Sequence, residues 1–269
     1  MSLHIIASVS DIETVSGVRL FLKSLHKMTE NANDTVTVHL FCNLTAPEYK
    51  EHDRLKIYPI LKAYHGMKPA HVHLLRLERF LLMPFTDDDT VMLIDGRDSV
   101  FQQPFFPAFD KLSSDNIYMM TEVPRNTYGS RCVKGWYRQA FGKEPPDLKA
   151  LILNGGFIYG KYSRLKTFIQ AAVNFVDEKY RNVFGIDQTA IAEYNWTHPG
   201  AITVLKAEDG ICLHLVGASV KYSDFSTDTK DIYSPVFIKD VSDAAIKPVI
   251  VHQYDRHPTL KTYFEKIYK

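Results

Sequence analysis

Two aspartates stand directly after an apolar run in the middle of the sequence. The run, Thr90 to Ile94, reads Thr-Val-Met-Leu-Ile, and Asp95 and Asp98 follow it with Gly96 between them. Such a run is typical of a strand at the centre of a parallel sheet, and ligands of open α/β sheets bind beyond the carboxyl ends of the strands. Two carboxylates placed there suit a hard divalent ion, Mg²⁺ or Mn²⁺, which would neutralise a diphosphate leaving group. The alternative is a turn in which Asp98 caps a helix.

Two later segments place polar groups beside glycines or at a helix start. In the segment Leu153 to Gly160, Asn154 offers a donor and an acceptor, and Gly155 and Gly156 let the backbone approach a ligand. The same glycines would also fit a β-bulge. In Gly185 to Ala190, Asp187 either caps the following helix or accepts the proton of an attacking hydroxyl.

Two histidines lie on predicted strands late in the chain. His252 ends the run Val249-Ile250-Val251, and His214 lies within Cys-Leu-His-Leu. Alternation on an apolar strand favours a hydrogen-bonded core role for His214. His252 stands at the end of its predicted strand.

Strand-like and helix-like patterns alternate along the chain, which indicates βαβ units and an α/β sheet. The predicted strands are Leu3 to Val9, Val36 to Phe41, Leu55 to Leu61, Thr90 to Ile94, Ile117 to Thr121, Leu151 to Tyr159, Ile211 to Leu215 and Pro248 to His252. The predicted helices are Thr14 to Met28, Pro47 to Asp53, Ala70 to Met83, Pro104 to Leu112, Arg164 to Tyr180 and Asp187 to Tyr194. Two long connections, Glu122 to Lys149 and Ala218 to Lys247, are expected to be lids or to carry small elements of their own.

Composition narrows the function classes. Lys and Arg number 32 against 31 Asp and Glu, and the formal charge of +1 disfavours a general nucleic-acid binder. Three distant cysteines, Cys42, Cys132 and Cys212, exclude a disulfide scaffold and a Cys-x-x-Cys site, and their surroundings predict three buried thiols. Without an apolar run of 18 residues we expect no membrane span, and a cytoplasmic location unless an anchor has been removed.

The central motif resembles that of a known family. Asp95-Gly96-Arg97-Asp98, followed by Val100-Phe101-Gln102 and Pro104-Phe105, resembles the Asp-x-Asp element of nucleotide-sugar glycosyltransferases of the GT-A fold. The resemblance implies one GT-A-type α/β domain over residues 1–269, with a central, mostly parallel mixed sheet flanked by helices. The donor-binding half would span about residues 1–122 and the acceptor-side half about 123–269.

The resemblance also implies an activity and a site. The enzyme would move a sugar from a nucleoside-diphosphate donor, expected to be UDP-linked, to an acceptor hydroxyl of a glycan or other glycoconjugate. Asp95, Asp98 and His252 would hold Mn²⁺ or Mg²⁺. The extra residue between the acids leaves open which one ligates directly, and we favour Asp98, with Asp95 on the metal or the donor ribose. The implied catalytic residues are Asp187 and Asn154, and those for the donor are Ala7, Ser8, Val9, Asp11, Arg76, Arg79, Asp95, Gly96, Gly155, Gly156 and Gln188.

Several alternatives stay open from the sequence. A nucleotidyltransferase shares the sheet and the metal, but the segment Ser8 to Thr14 lacks the Gly-rich basic loop of such enzymes. A catalytically silent domain that binds a sugar nucleotide or a glycan would keep the same fold. The Glu122 to Lys149 connection mixes aromatic and cationic residues, which fits an acceptor lid, a partner surface or an arm packed on its own domain. Inversion or retention at the sugar and the oligomeric state are also open. Asp187 is the candidate base if the enzyme inverts.

Overall fold

The computed structural model describes residues 2–9, 15–30, 35–42, 54–58, 69–113, 115–122, 126–181, 183–215, 226–228, 230–233, 235–239 and 245–268. Its strands are β1 Ser2–Ser8, β2 Thr35–Phe41, β3 Leu55–Tyr58, β4 Thr90–Asp95, β5 Ser99–Phe101, β6 Ile117–Thr121, β7 Leu153–Lys161, β8 Ile202–Leu205, β9 Cys212–His214, β10 Ser226–Thr227, β11 Val236–Lys239, β12 Ala245–Ile246 and β13 Ile250–His252. Its helices are α1 Val15–Thr29, α2 Pro69–Leu81, α3 Phe106–Phe109, α4 Arg131–Phe141, α5 Tyr162–Asn174, α6 Ile186–Thr197 and α7 Pro258–Ile267.

The central sheet has seven strands in the order β3-β2-β1-β4-β7-β6-β8. Four of its six pairings are parallel, and β7 runs antiparallel to both β4 and β6. The prediction of a mostly parallel mixed sheet is therefore confirmed. β4 lies at the centre with a nearly uninterrupted buried pattern, because both faces of this sheet are covered.

Helices cover the two faces of the sheet. On one face, Phe21 of α1 packs with Ile5 of β1 and Met92 of β4. On the other, α2, α5 and α6 pack against the opposite side chains of the same strands, Leu93 of β4 among them, as the two-residue period of a strand requires. The strands that will carry functional groups are thus held from both sides.

A second, three-stranded sheet in the order β5-β13-β9 lies beside the end of β4. β5 starts immediately after Asp98 and runs antiparallel to β13, which runs parallel to β9. The buried amide of Gln102 fastens the end of β5, since its Nε2 donates to the carbonyls of Val236 and Pro248 at 2.7 and 2.8 Å. The glutamine of the Val-Phe-Gln motif is thus a clamp between segments more than 130 residues apart.

Some predicted elements differ from the structure. The helix predicted from Pro104 shrinks to the four residues of α3, and the helix predicted from Arg164 to Tyr180 ends at Asn174. β5, β8 and α7 were not predicted. The prediction of three buried thiols is wrong for Cys132, which is exposed on α4, a helix inside the first long connection. The Pro47 to Asp53 helix lies outside the described residues.

The second long connection carries β10, β11 and β12. None of the helices in the described part of the chain has both the length and the apolar character needed to cross a membrane.

Candidate active site

The turn between β4 and β5 is built by close packing underneath it. Asp95 ends β4 and pairs in register with Ser8 of β1, while Gly96 is buried against the side chain of Ala7. A Cβ on Gly17 of α1 would lie 2.0 Å from the carbonyl oxygen of Arg97, so only glycine lets α1 reach the turn. The structure therefore places Gly96 within the turn and Ala7 beneath it. Because β5 follows directly, the alternative in which Asp98 caps a helix is wrong.

The two carboxylates of this turn converge on one histidine. Nε2 of His252 lies 3.2 Å from Oδ2 of Asp95 and 3.4 Å from Oδ1 of Asp98. One ligand atom from each of the three side chains lies within 4.8 Å of the others, as a shared ion requires. The structure brings together the three residues that the sequence predicted as ligands.

Charge at this cluster is tightly balanced. Burial alone would lower the pKa of His252, but the carboxylates of Asp98 and Asp95 outweigh it and raise that pKa to about 9. Burial would likewise raise the pKa of Asp98, yet the charged ring of His252 lowers it to about 2. The protonated imidazole thus adds positive charge to that of the guanidinium groups of Arg76 and Arg97, which pair with the same two carboxylates.

The donor set fits a divalent ion. Nε2 of His252 is fully buried and makes no hydrogen bond with acceptable geometry, although two carboxylates face it. Two carboxylates and one imidazole suit Mn²⁺ and admit Mg²⁺.

Arg76 supports the acidic cluster from below. Its side chain on α2 is completely buried; Nη1 donates to Oδ1 of Asp95 and Nη2 donates to the carbonyl of Gly155 at 2.6 Å. This guanidinium fixes one oxygen of Asp95 and leaves the other facing His252. Arg79, one turn further on the same helix, is half-buried and makes no ion pair with the described residues, so the structure does not bring it to the acids.

The glycine pair of β7 makes room for the chain's own side chains. A Cβ on Gly156 would lie 2.3 Å from Cε1 of His252, and one on Gly155 would lie 3.0 Å from Oδ2 of Asp187. The pairing with β6 jumps here from Ile158 to Asn154, which is the bulge that the sequence left open. The bulge and the pocket location are compatible, because the bulged residues line the cavity.

A buried carboxylate that the sequence reading did not single out as a site residue lies beside this bulge. Glu122 follows β6 directly and accepts hydrogen bonds from the amides of Asn154, at 2.9 Å, and Asn126; the amide of Gln188 lies 3.5 Å away. Burial raises the pKa of Glu122, and the first two amides partly offset the shift. The signal that singled out Asp95, an acid directly after a buried strand, applied to Glu122 as well.

Asp187 and Gln188 enter from the first turn of α6. Gly185 is the N-cap of this helix, with φ 70°, so the alternative in which Asp187 is the cap is wrong. The Asp187 side chain is almost completely buried and faces the bulge of β7. Both residues are thus free of a capping task and face the same space as Glu122 and Asn154.

These groups line one cavity of about 680 Å³, a size typical of small-ligand sites. Of the sequence-predicted residues it is lined by Ser8, Val9, Asp95, Asp98, Asn154, Gly155, Gly156, Asp187 and Gln188. Ala7, Arg76, Arg79, Gly96 and His252 do not line it, and Asp11 lies outside the described residues. His252 nonetheless contacts two carboxylates that do.

One face of the Glu122 to Lys149 connection packs on the rest of the domain, and another face lines the cavity. Tyr137 of α4 donates its hydroxyl hydrogen to Glu193 of α6 and packs on Trp196, which ties the segment to its own domain. On the other side, Trp136 packs on Phe184 with ring centroids 4.9 Å apart, and both line the cavity. The interpretation as an arm packed on its own domain therefore describes the face that carries Tyr137. The face that carries Trp136 lines the cavity, and its role as an acceptor lid stays a prediction.

Guanidinium groups complete the lining. Nη2 of Arg97 donates to Oδ2 of Asp98 at 2.8 Å, and Nη2 of Arg256 lies 3.6 Å from the same oxygen. Arg131, at the start of α4, also lines the cavity. Four carboxylates and three guanidinium groups therefore face this space, a mixed field suited to an anion bound through a cation.

Comparison with solved structures decides the fold. A crystal structure of the galactosyltransferase LgtC in complex with donor and acceptor sugar analogues aligns with 98% of this chain and 95% of its own, with a TM-score of 0.60 and 13% identity. A glutamine-to-glutamate active-site mutant of LgtC aligns with 98% of this chain and 94% of its own, with a TM-score of 0.59 and 13% identity. The chain has the GT-A fold of these galactosyltransferases.

No protein-family model matches the sequence, and no relative is found among curated proteins. The GT-A likeness is thus one of three-dimensional structure. It extends over both the sheet and the region around β13, so the Asp95, Asp98 and His252 cluster lies within the aligned fold.

Proposed function

We propose that this protein is a metal-dependent glycosyltransferase that moves a sugar from a nucleoside-diphosphate donor to an acceptor hydroxyl. The carrying observation is the cluster of Asp95, Asp98 and His252, three ligand-type side chains at the strand ends of a GT-A fold. We further propose uridine diphosphate as the nucleotide and a glycan or other glycoconjugate as the acceptor, as the sequence resemblance implies.

The charge of the cavity supports a diphosphate at the Asp95 end. Asp95, Asp98 and His252 would hold Mn²⁺ or Mg²⁺, which when bound supplies a Lewis acid that stabilises negative charge on the leaving diphosphate. Arg97 and Arg256 flank Asp98 and can pair with the remaining phosphate oxygens as bidentate donors. Arg76 fixes the carboxylate of Asp95 in place throughout.

The sugar of the donor would lie at the Asp187 end of the cavity. Asp187 and Glu122 provide carboxylates there, and the amides of Asn154 and Gln188 provide donors and acceptors for hydroxyl groups. Asn154 is oriented by two hydrogen bonds, one donated to Glu122 and one accepted from the backbone N–H of Gly156 at 2.7 Å. If the enzyme inverts the configuration at the sugar, the Asp187 carboxylate is the base that would take the proton of an acceptor hydroxyl delivered to this end.

The aromatic pair Trp136 and Phe184 supports a carbohydrate acceptor. Phe184 is 56% exposed, and its partner Trp136 packs so closely on Gly185 that a Cβ there would lie 2.5 Å from the indole. The pair is therefore fixed beside Gly185, the N-cap of α6, which lies two residues before Asp187 and three before Gln188. Exposed aromatic faces at a cavity rim contact the apolar face of a sugar ring while its hydroxyls stay hydrated.

The test is thermal stability and donor hydrolysis with a panel of nucleoside diphosphates and their sugars, each with and without Mn²⁺. A ligand at 100 times its Kd adds about 2.7 kcal/mol to the stability of the protein it binds. We expect stabilisation by one nucleotide only when Mn²⁺ is present, and slow release of free sugar from the matching donor. Metal-dependent binding without any sugar release would instead establish a silent binding domain.

Asp98→Asn is the decisive variant, because it keeps the volume and removes one charge that faces His252. It should abolish the effect of Mn²⁺ on nucleotide binding and leave metal-free folding cooperative. Asp255→Asn is the matched control, since Asp255 pairs with Arg97 at 3.5 Å but is not part of the ligand cluster. Unchanged metal dependence in Asp98→Asn would refute the proposal.

A further inference from the structure

His214 and His252 form a cross-strand pair in the small sheet. They are direct partners in the parallel register of β9 and β13, and both side chains are buried. Their rings meet edge to face at 78°, and their Nδ1 atoms are 2.6 Å apart. This contact joins a proposed metal ligand to a residue with no assigned role.

Two ring nitrogens at this distance must share one proton, so one ring donates and the other accepts. A histidine that ligates a metal through Nε2 carries its hydrogen on Nδ1. In that state the Nδ1–H of His252 has to be the donor and the Nδ1 lone pair of His214 the acceptor. The opposite direction would leave a hydrogen on Nε2 of His252, which faces Asp95 and Asp98, and would block ligation.

Resting on the proposed function, we infer that His214 is a positioning residue: its Nδ1 accepts the Nδ1–H of His252 and holds the Nε2 lone pair of that ring toward the ion between Asp95 and Asp98. Metal-ligating histidines generally donate their second N–H to a carboxylate, a carbonyl or water, which fixes the tautomer and the ring orientation. Here a neutral imidazole does this.

The surroundings of His214 suit this role. The side chain of His214 is buried on β9, and the hydrogen-bond partner of its Nδ1 is Nδ1 of His252. Its Nε2 makes no hydrogen bond to any residue that the structure describes, so Nδ1 is the ring nitrogen through which His214 meets a partner. The backbone of Gly156 also packs closely on the His252 ring, since a Cβ there would lie 2.9 Å from Nδ1. The ring is thus in contact with both β7 and β9.

The test compares two substitutions of His214 that differ in their ability to accept a hydrogen bond. His214→Asn keeps an acceptor oxygen near the place of Nδ1, whereas His214→Leu keeps volume and removes the acceptor. Mn²⁺ affinity is read from the electron paramagnetic resonance signal of free Mn²⁺, without substrate. Loss of such a partner typically weakens metal binding 10- to 100-fold. We expect that loss in His214→Leu and recovery of most of the affinity in His214→Asn.

A second measurement does not depend on either variant. The ¹⁵N spectrum of the wild-type protein with Mg²⁺ should show His214 protonated on Nε2 and His252 protonated on Nδ1; the reverse tautomers would overturn the inference. Equally weakened Mn²⁺ binding in both His214 variants would overturn the inference and leave the metal site intact. The same holds if His214→Leu binds Mn²⁺ normally while His252→Ala loses Mn²⁺ binding. Absence of Mn²⁺ binding in the wild type would overturn both proposals.

Discussion

Proton competition at His252 is the most quantitative expectation from the structure. The ring sits between Asp95 and Asp98 with a pKa of about 9, so the metal-free protein carries a proton on the nitrogen that a metal ion needs. Metal binding must therefore release that proton. Asp98 is already ionised at neutral pH, since its pKa is held at about 2, and contributes no proton of its own.

The magnitude follows from the same pKa. At pH 7 about 1% of the His252 rings are neutral, since the pH lies about two units below the pKa. Below pH 9 the apparent affinity for Mn²⁺ should rise about tenfold per pH unit, or about 100-fold between pH 6 and pH 8, which corresponds to about 2.7 kcal/mol.

Isothermal titration with Mn²⁺ tests this between pH 6 and pH 8. Runs in two buffers with different ionisation enthalpies give the number of protons released, expected to be one per ion. His252→Gln removes the titrating ring, so it should bind more weakly at pH 8 and show little pH dependence. A wild-type affinity that stays flat over this range, or binding without proton release, would refute the reasoning.

Four other outcomes are expected. Gly156→Ala should weaken Mn²⁺ binding and lower the free energy of unfolding by about 1–3 kcal/mol, because the added Cβ overlaps the His252 ring. Gly135→Ala, in open space on α4, should instead raise the free energy of unfolding by up to about 1 kcal/mol. Urea unfolding measures both changes. Arg76→Met leaves Asp95 without its buried partner and should cost about 3–5 kcal/mol, whereas Arg79→Met should cost under about 0.5 kcal/mol; similar losses in the two would contradict the burial argument. Because the pKa of His252 is raised, its protonated ring stabilises the metal-free protein fully below pH 6.5, and this stabilisation is lost as pH rises through about 9. The Tm of the wild type should therefore fall over that window. The Tm of His252→Gln should change less over the same range. With two tryptophans in the chain, ligand binding in the cavity should change fluorescence in Trp196→Phe but not in Trp136→Phe.

Sequence patterns anticipated the parts of the site that depend on one strand at a time. The Thr90 to Ile94 run predicted β4, and acids directly after it predicted the cluster of Asp95 and Asp98. The resemblance to GT-A glycosyltransferases then implied His252, at the end of a late apolar run, as the third ligand. The prediction of the two acids needed only a continuous apolar run and the rule that ligands bind at the carboxyl ends of strands.

What the sequence did not reveal depends on pairing between distant strands. The contact of His214 with His252 exists because β9 and β13 are neighbours in a particular register, which no local pattern encodes. Cys132 was expected inside, but the connection around it forms α4, whose buried face is set by Val133 and Tyr137 one turn apart. Glu122 was not predicted as a site residue because the sequence places it at the start of the first long connection.

The pairing of β5 with β13 has a consequence for how the protein folds. About 150 residues separate Asp98 and Ser99 from His252. Closing a loop of that length costs about 4 kcal/mol of free energy in lost chain entropy, which the contacts between β5 and β13 must offset. The parallel units β1 to β4 rest on much shorter connections and can form while later residues are still being synthesised. A nascent chain that has not yet completed β13 would hold Asp95 and Asp98 without His252, and His214 would lack its partner. Metal capture would then be one of the last events of folding, and Mn²⁺ would stabilise the finished protein without guiding the formation of its sheet.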